Sequence, residues 1–139
     1  MIVLDTSALF AALVPDQTEH DATRRVLEAE PHPRLLSPFV LAELAYLLAR
    51  RGGSDRELAL LEEIGRETYE LVPFRAADVA ASARVIARYR DLGIGLTDAS
   101  LVVVAARFAT TRIFTLDERH FRAIAPLDGG TFELLPADA

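Results

Sequence analysis

The chain has no cysteine and no lysine. The first absence removes disulfides, zinc–thiolate sites and thiol nucleophiles. The second removes Schiff-base chemistry and the phosphate-binding lysine of a P-loop. No apolar run approaches the ~20 residues needed to cross a bilayer, so no membrane partner is expected. The sequence opens directly on a strand-like segment, so no signal peptide is expected and a reducing cytoplasm is the simplest setting. Basic charge is scarce as well. The net charge is −6, and all fifteen basic residues are arginine. That argues against a generally basic nucleic-acid surface. Nor is there an aromatic platform interleaved with basic residues for stacking single strands. What remains is a 139-residue chain that is 51% hydrophobic and 26% charged. It is read as one domain, 1–139, large enough to bury a real core.

Strand and helix patterns alternate along the chain. Met1–Leu4 reads as a fully apolar strand, Thr6–Leu13 as a helix and His20–Glu30 as a second helix. Arg34–Ser37 reads as a short strand. Phe39–Arg51 is an apolar helix stopped by Gly52-Gly53. Ser54 and Glu57 have the spacing of a capping box, opening a helix to about Thr68 with Leu58, Leu61 and Ile64 on one stripe. Tyr69–Pro73 reads as a strand, and Ala76–Asp91 as a helix with Val79, Ala83, Ile86 and Ala87 inward. After the Gly93-Ile94-Gly95 turn, Thr97–Ala109 is a helix apolar nearly all round. Ile113–Thr115 and Thr131–Leu135 read as strands, with a turn or short helix at Asp117–Phe121 between them. Such alternation predicts an α/β fold with a mainly parallel central sheet flanked by helices on both faces. Ligands of such sheets bind beyond the carboxyl ends of the strands.

Against this apolar background four acids stand out. Asp5 follows Met1-Ile2-Val3-Leu4. Glu43 is the one charge between Phe39 and Ala49. Asp98 opens the run from Ala99 to Ala106, and Asp117 follows Ile113-Phe114-Thr115-Leu116. A carboxylate taken out of water costs several kcal/mol unless a cation or hydrogen-bond donors compensate. Each acid alone admits a local role: Asp5 and Asp98 as helix caps or first-turn acids, Asp117 in a turn, Glu43 on a solvated stripe. Together, in four separate elements, they point to a shared cation. Carboxylates without thiols or clustered histidines suit Mg²⁺ or Mn²⁺.

The motifs carrying these acids are Val3-Leu4-Asp5-Thr6-Ser7-Ala8-Leu9, Leu41-Ala42-Glu43-Leu44, Leu96-Thr97-Asp98-Ala99 and Leu116-Asp117-Glu118-Arg119-His120-Phe121. In order, spacing and chain size they resemble the PIN-domain ribonucleases, and among them the VapC toxins of toxin–antitoxin pairs. The resemblance covers essentially the whole chain. It implies a PIN-like fold and a catalytic, metal-holding quartet of Asp5, Glu43, Asp98 and Asp117. It also implies supporting hydroxyls at Thr6, Ser7, Thr97 and Thr115, a dimer, and a VapB-like antitoxin partner.

The expected reaction is metal-dependent endonucleolytic hydrolysis of RNA, leaving a 5′-phosphate and a 3′-hydroxyl. His120 is a candidate contact to the scissile phosphate or a base. Arg84 and Arg88, one helical turn apart, are candidate contacts to the RNA backbone, as are Arg119 and Arg122. A structured RNA such as tRNA or ribosomal RNA is the preferred substrate class. Surplus apolar surface on the helices at Thr6–Leu13, Phe39–Ala49 and Glu57–Ile64 would suit a dimer partner and an antitoxin helix. A receiver-type phosphoacceptor domain needs a late lysine, which is absent. A haloacid-dehalogenase-like phosphatase needs a second Asp where Ser7 stands. The remaining alternative is a PIN-like protein that binds RNA or ribosomes without cleaving.

Overall fold

Ile2-Val3-Leu4 and Ile113-Phe114 are apolar on both sides of the pleat, and only a sheet covered on both faces can bury such strands. The computed structural model, which describes all residues Met1–Ala139, shows this arrangement. In chain order its elements are β1 (Ile2–Leu4), α1 (Thr6–Leu13), α2 (His20–Ala29), β2 (Arg34–Leu36), α3 (Pro38–Gly52) and α4 (Ser54–Gly65). They continue with β3 (Glu70–Leu71), α5 (Ala76–Arg88), α6 (Leu96–Arg107), β4 (Arg112–Phe114), α7 (Glu118–Ala123) and β5 (Glu133–Leu135). The sheet has the order β3-β2-β1-β4-β5. Every pairing is parallel, with Val3 opposite both Leu35 and Ile113.

The chain steps outward from β1 to β2 to β3, then returns past β1 to β4 and β5. Right-handed crossovers therefore put α1–α4 on one face and α5–α6 on the other. The packing agrees: α1 lies on α2 and α3, α3 on α4, and α5 on α6, which covers β1 and β4. Ile2, Val3, Leu4, Leu35, Leu36, Ile113, Phe114 and Leu134 are fully buried between these layers. Each such side chain contributes roughly 1.5–3 kcal/mol by leaving water. The strand order reverses between β1 and β4, which makes their carboxyl ends the switch point where a ligand site is expected.

Several local expectations need correction. The Ser54–Glu57 capping box does not form: Ser54 is already helical, and Gly53 precedes it as N-cap without a side-chain hydrogen bond. Gly53 has φ 78°, a left-handed value that only glycine adopts freely, so α3 and α4 meet too tightly for a serine cap. The Ala76–Asp91 helix ends at Arg88 and continues as a 3₁₀ turn, Arg90–Leu92. Its inward face is rotated from the expected one. Val79, Ala83 and Ala87 face solvent, while Ser82 and Val85 are buried and Ile86 is half-buried. An alanine-rich helix has little apolar contrast, and Ser82 tolerates burial because its hydroxyl donates to the Asp78 carbonyl at 2.8 Å. The α4 helix stops at Gly65 before Glu67, which has φ 60°. The strand expected at Tyr69–Pro73 shortens to an edge pair because it bonds β2 alone and Pro73 has no N–H.

At the amino edge of the sheet one buried charge ties four elements together. Glu30, just past α2, is paired with the Met1 amino group at 3.0 Å and with Arg112 Nη1; Arg112 Nε also reaches Glu133 at 3.2 Å. Arg112→Ala strands the Glu30 carboxylate with the amino group as its one remaining cation. We expect urea unfolding to show a loss of about 2–3 kcal/mol, the low end for a broken buried pair because Arg112 is partly solvated. Arg24→Ala, which breaks an exposed pair with Glu28, should change stability by less than about 0.5 kcal/mol.

Candidate active site

Asp5 leaves β1 at its carboxyl end and caps α1. Its backbone N–H donates to Phe114 O at 2.9 Å, which continues the β1–β4 pairing one step past the strands. The carboxylate is buried and accepts three hydrogen bonds: from Thr6 N–H at 2.8 Å, Ser7 Oγ at 3.0 Å and Thr115 Oγ1 at 2.6 Å. Burial is the largest influence on Asp5 and pushes its pKa up to about 6. The Thr115, Ser7 and Thr6 donors oppose the rise, and the charge of Asp98 adds to it.

The same hydroxyls shape the β4 exit. Thr115 Oγ1 accepts from Asp117 N–H at 2.9 Å, and Ser7 Oγ accepts from Leu116 N–H at 3.0 Å. Asp117 thereby becomes the N-cap of α7, accepting from His120 N–H at 3.1 Å. Asp98 enters from the opposite layer, in the first turn of α6. The acidic side chains of Asp98 and Asp117 and the His120 imidazole converge, with ligand atoms all within 4.8 Å of one another. His120 Nδ1 lies 2.9 Å from Asp117 Oδ2 and 3.4 Å from Asp98 Oδ2. The distances permit ion pairs, yet the nitrogen is buried and makes no hydrogen bond of acceptable geometry. His120 Nδ1 is therefore close to both carboxylates but unsatisfied. Burial raises the Asp98 pKa; His120 opposes this, while Asp117 and Glu43 reinforce it.

Glu43 is placed differently. It sits on the second turn of α3 with its side chain exposed. It belongs to the cluster through its field at Asp98 rather than through contact. The expected supporting hydroxyls also divide. Ser7 and Thr115 form the bridge just described. Thr6 serves Asp5 through its backbone N–H, and its own hydroxyl is buried without a partner. Thr97 contributes its carbonyl, which accepts from Ser100 Oγ at 2.6 Å.

A link absent from the sequence reading joins the two helix layers. The fully buried Ser37, N-cap of α3, meets the fully buried Ser100 of α6 at 2.8 Å. It fixes the start of the Glu43 helix against the Asp98 helix. The available signal was a lone hydroxyl inside the Ala99–Ala106 apolar run.

The candidate RNA contacts separate by their partners. Arg122 is committed to Asp138 at 2.6 Å and Glu118 at 3.0 Å. Arg84, Arg88 and Arg119 are exposed and form no ion pair. Arg107, at the end of α6, meets Pro73 O and Asp78 beside the start of α5. The α5 helix therefore runs antiparallel to α6, toward the Asp98 end, and its last turn carries Arg88.

A family model described as PIN domain matches residues 2–126. The chain belongs to the PIN-domain family. Ribonuclease VapC26 of Mycobacterium tuberculosis is 41% identical to this PIN domain over 135 residues, covering 97% of this chain and all of that protein. The chain is thus a VapC ribonuclease homologue, as its four motifs suggested. Among solved structures it is similar to Mycobacterium tuberculosis VapC20, a Sarcin-Ricin loop cleaving toxin, with TM-score 0.79 and 19% identity over 85% of this chain and 91% of that one. It is also similar to Rickettsia felis VapBC2 bound to a DNA fragment from their promoter, with TM-score 0.68 and 20% identity over 96% and 98% of the two chains. At these identities the two structures establish the fold alone.

The donor set of this PIN domain fits a divalent metal ion. Two carboxylates and an unsatisfied imidazole nitrogen meet at one point, and mutual repulsion raises the charge cost there. The Thr115 bridge orients Asp5 and Asp117 together. Thr115→Val keeps the shape and removes that bridge, and should lower RNA cleavage about 10–100-fold in a fluorescent-substrate assay, with the fold intact by circular dichroism. Thr6→Val removes a hydroxyl that bonds nothing, so it should leave cleavage within about twofold and stability unchanged or slightly higher.

Proposed function

We propose that this protein is the toxin of a VapBC-type toxin–antitoxin pair and acts in the cytoplasm as a Mg²⁺- or Mn²⁺-dependent endoribonuclease. The observation that carries this reading is the meeting of Asp98, Asp117 and His120 beside buried Asp5, at the carboxyl ends of β1 and β4. A bound divalent ion would supply Lewis acidity toward the phosphoryl oxygens and lower the pKa of a water molecule. Asp98 and Asp117 would hold it, with Asp5 anchored behind them by its three donors. Glu43, the solvent-facing member of the quartet, would take the proton of the attacking water at its carboxylate and pass it to solvent. Arg84, Arg88 and Arg119, free of ion pairs, supply cationic contacts for the phosphate backbone of a structured RNA, such as tRNA or ribosomal RNA. A protein that merely binds RNA would have no use for acids gathered at a polyanion's binding site without a cation.

The antitoxin reading is supported by α4. Leu58 is 54% exposed and Leu61 44% exposed, while the core-facing side of that helix is carried by Leu60. A homodimer would cover further apolar surface. No helix is long and apolar enough to cross a membrane.

Purified, partner-free protein should cut RNA with Mg²⁺ or Mn²⁺, stop in EDTA, and yield 5′-phosphate and 3′-hydroxyl ends. Asp98→Asn keeps shape and removes one charge, and should slow cleavage about 100-fold. Fragments that persist in EDTA or carry 2′,3′-cyclic phosphates would refute the mechanism. For the partner surface, Leu58→Ala with Leu61→Ala should weaken antitoxin binding about tenfold or more in calorimetry. The same pair should cost less than about 1 kcal/mol of stability; equal losses would make these leucines ordinary core.

A further inference from the structure

We propose that His120 is a nitrogen ligand of the catalytic ion and that it biases the site toward Mn²⁺ over Mg²⁺. The inference rests on the reading of a metal-dependent nuclease and names what this chain adds to it. His120 Nδ1 is buried, unsatisfied, and faces two carboxylate oxygens at 2.9 and 3.4 Å. Ligands adjacent on an octahedron of radius about 2.1 Å lie about 3 Å apart. The two nitrogen–oxygen distances are therefore close to the spacing of adjacent ligands, and all three atoms lie within 4.8 Å of one another. A hydrogen-bonded His–Asp pair would place an N–H on the line to Asp117 Oδ2, and the geometry does not.

The position of the ring is built in. Asp117 Oδ1 accepts from the His120 backbone N–H at 3.1 Å, which fixes the first turn of α7 beneath the imidazole. Phe121, the next residue, is fully buried and packs edge-on against Phe132, which anchors α7 to the core. Spacing of three on a helix brings residues 117 and 120 to one side. Imidazole is a poor partner for Mg²⁺, which prefers oxygen and holds its waters tightly. Manganese accepts nitrogen more readily and lies on the series in which nitrogen ligands raise affinity.

The test uses the full chain, freed of divalent ions. Isothermal titration with MnCl₂ and MgCl₂ is run on the native protein, His120→Ala and Asp98→Asn, with circular dichroism for the fold. Pulsed electron paramagnetic resonance of the native Mn²⁺ complex is recorded alongside. The expected result is a directly coordinated ¹⁴N signal in the native protein. His120→Ala should lose that signal and weaken Mn²⁺ binding about tenfold or more, with Mg²⁺ binding changed less than about threefold. A Mn²⁺ complex without coordinated nitrogen would overturn the proposal even if the variant failed to fold, as would equal Mn²⁺ affinities. If native protein and Asp98→Asn bound neither ion differently, the metal-nuclease reading itself would fail, and the assignment of His120 with it.

Discussion

Everything at the carboxyl edge depends on Asp5 being buried with its hydrogen bonds satisfied. Its carboxylate is enclosed where β1 ends, and three donors from two elements hold it there. Two of those donors, Ser7 and Thr115, also accept from the backbone of Leu116 and Asp117. One carboxylate thus sets the exit of β1, the start of α1, the exit of β4 and the cap of α7. The desolvation that makes the group costly also makes the arrangement directional, because a partly satisfied network would be worse than an apolar one. The cap roles and the site roles of Asp5 and Asp117 are therefore not alternatives: capping is how the chain aims these acids.

The topology explains why the acids come from such distant parts of the sequence. In a sheet whose order reverses between β1 and β4, the elements that meet above that gap are the first and the fourth β-strand exits. The α6 start joins them from the other layer, locked to α3 by Ser37 and Ser100. Separations of about a hundred residues, such as Thr115 to Asp5, become contacts of 2.6 Å. The cost is electrostatic. Asp98 feels Asp117 and Glu43 as repulsion and His120 as relief, so the site without an ion is a store of unfavourable charge.

Much of this was legible in the sequence. The apolar strands and the acids at their ends announced an α/β sheet and its site, because buried strands read as continuous apolar runs and charges inside them demand a reason. What escaped has several physical causes. The inward face of α5 could not be read, since alanine fits either side and Ser82 hides its hydroxyl on its own helix. The Ser54–Glu57 pattern was sound chemistry displaced by a tighter connection at Gly53. For Glu43 the sequence left open a solvated stripe or the site, and 100° per residue carries it to the exposed face while Val40, Leu44 and Leu48 take the core. Ring placement at His120 depends on the α7 cap and on Phe132, far along the chain, and no local pattern encodes that.

A protein of net charge −6 that acts on a polyanion must solve an association problem. Five of the fifteen arginines face acids: Arg24, Arg66, Arg107, Arg112 and Arg122. Those left without an ion pair include Arg88 in the last turn of α5 and Arg119 in the first turn of α7, both on elements that lead into the acidic cluster. At this net charge long-range attraction is weak, and Arg88 and Arg119 offer short-range contacts beside the acids. On the proposed function, such a surface would favour an RNA whose phosphates match the cations beside the acids over RNA in general. An ion at the acids would then do two things with one charge: cancel the local repulsion that opposes folding of the site, and make the centre of the rim attractive to a phosphate.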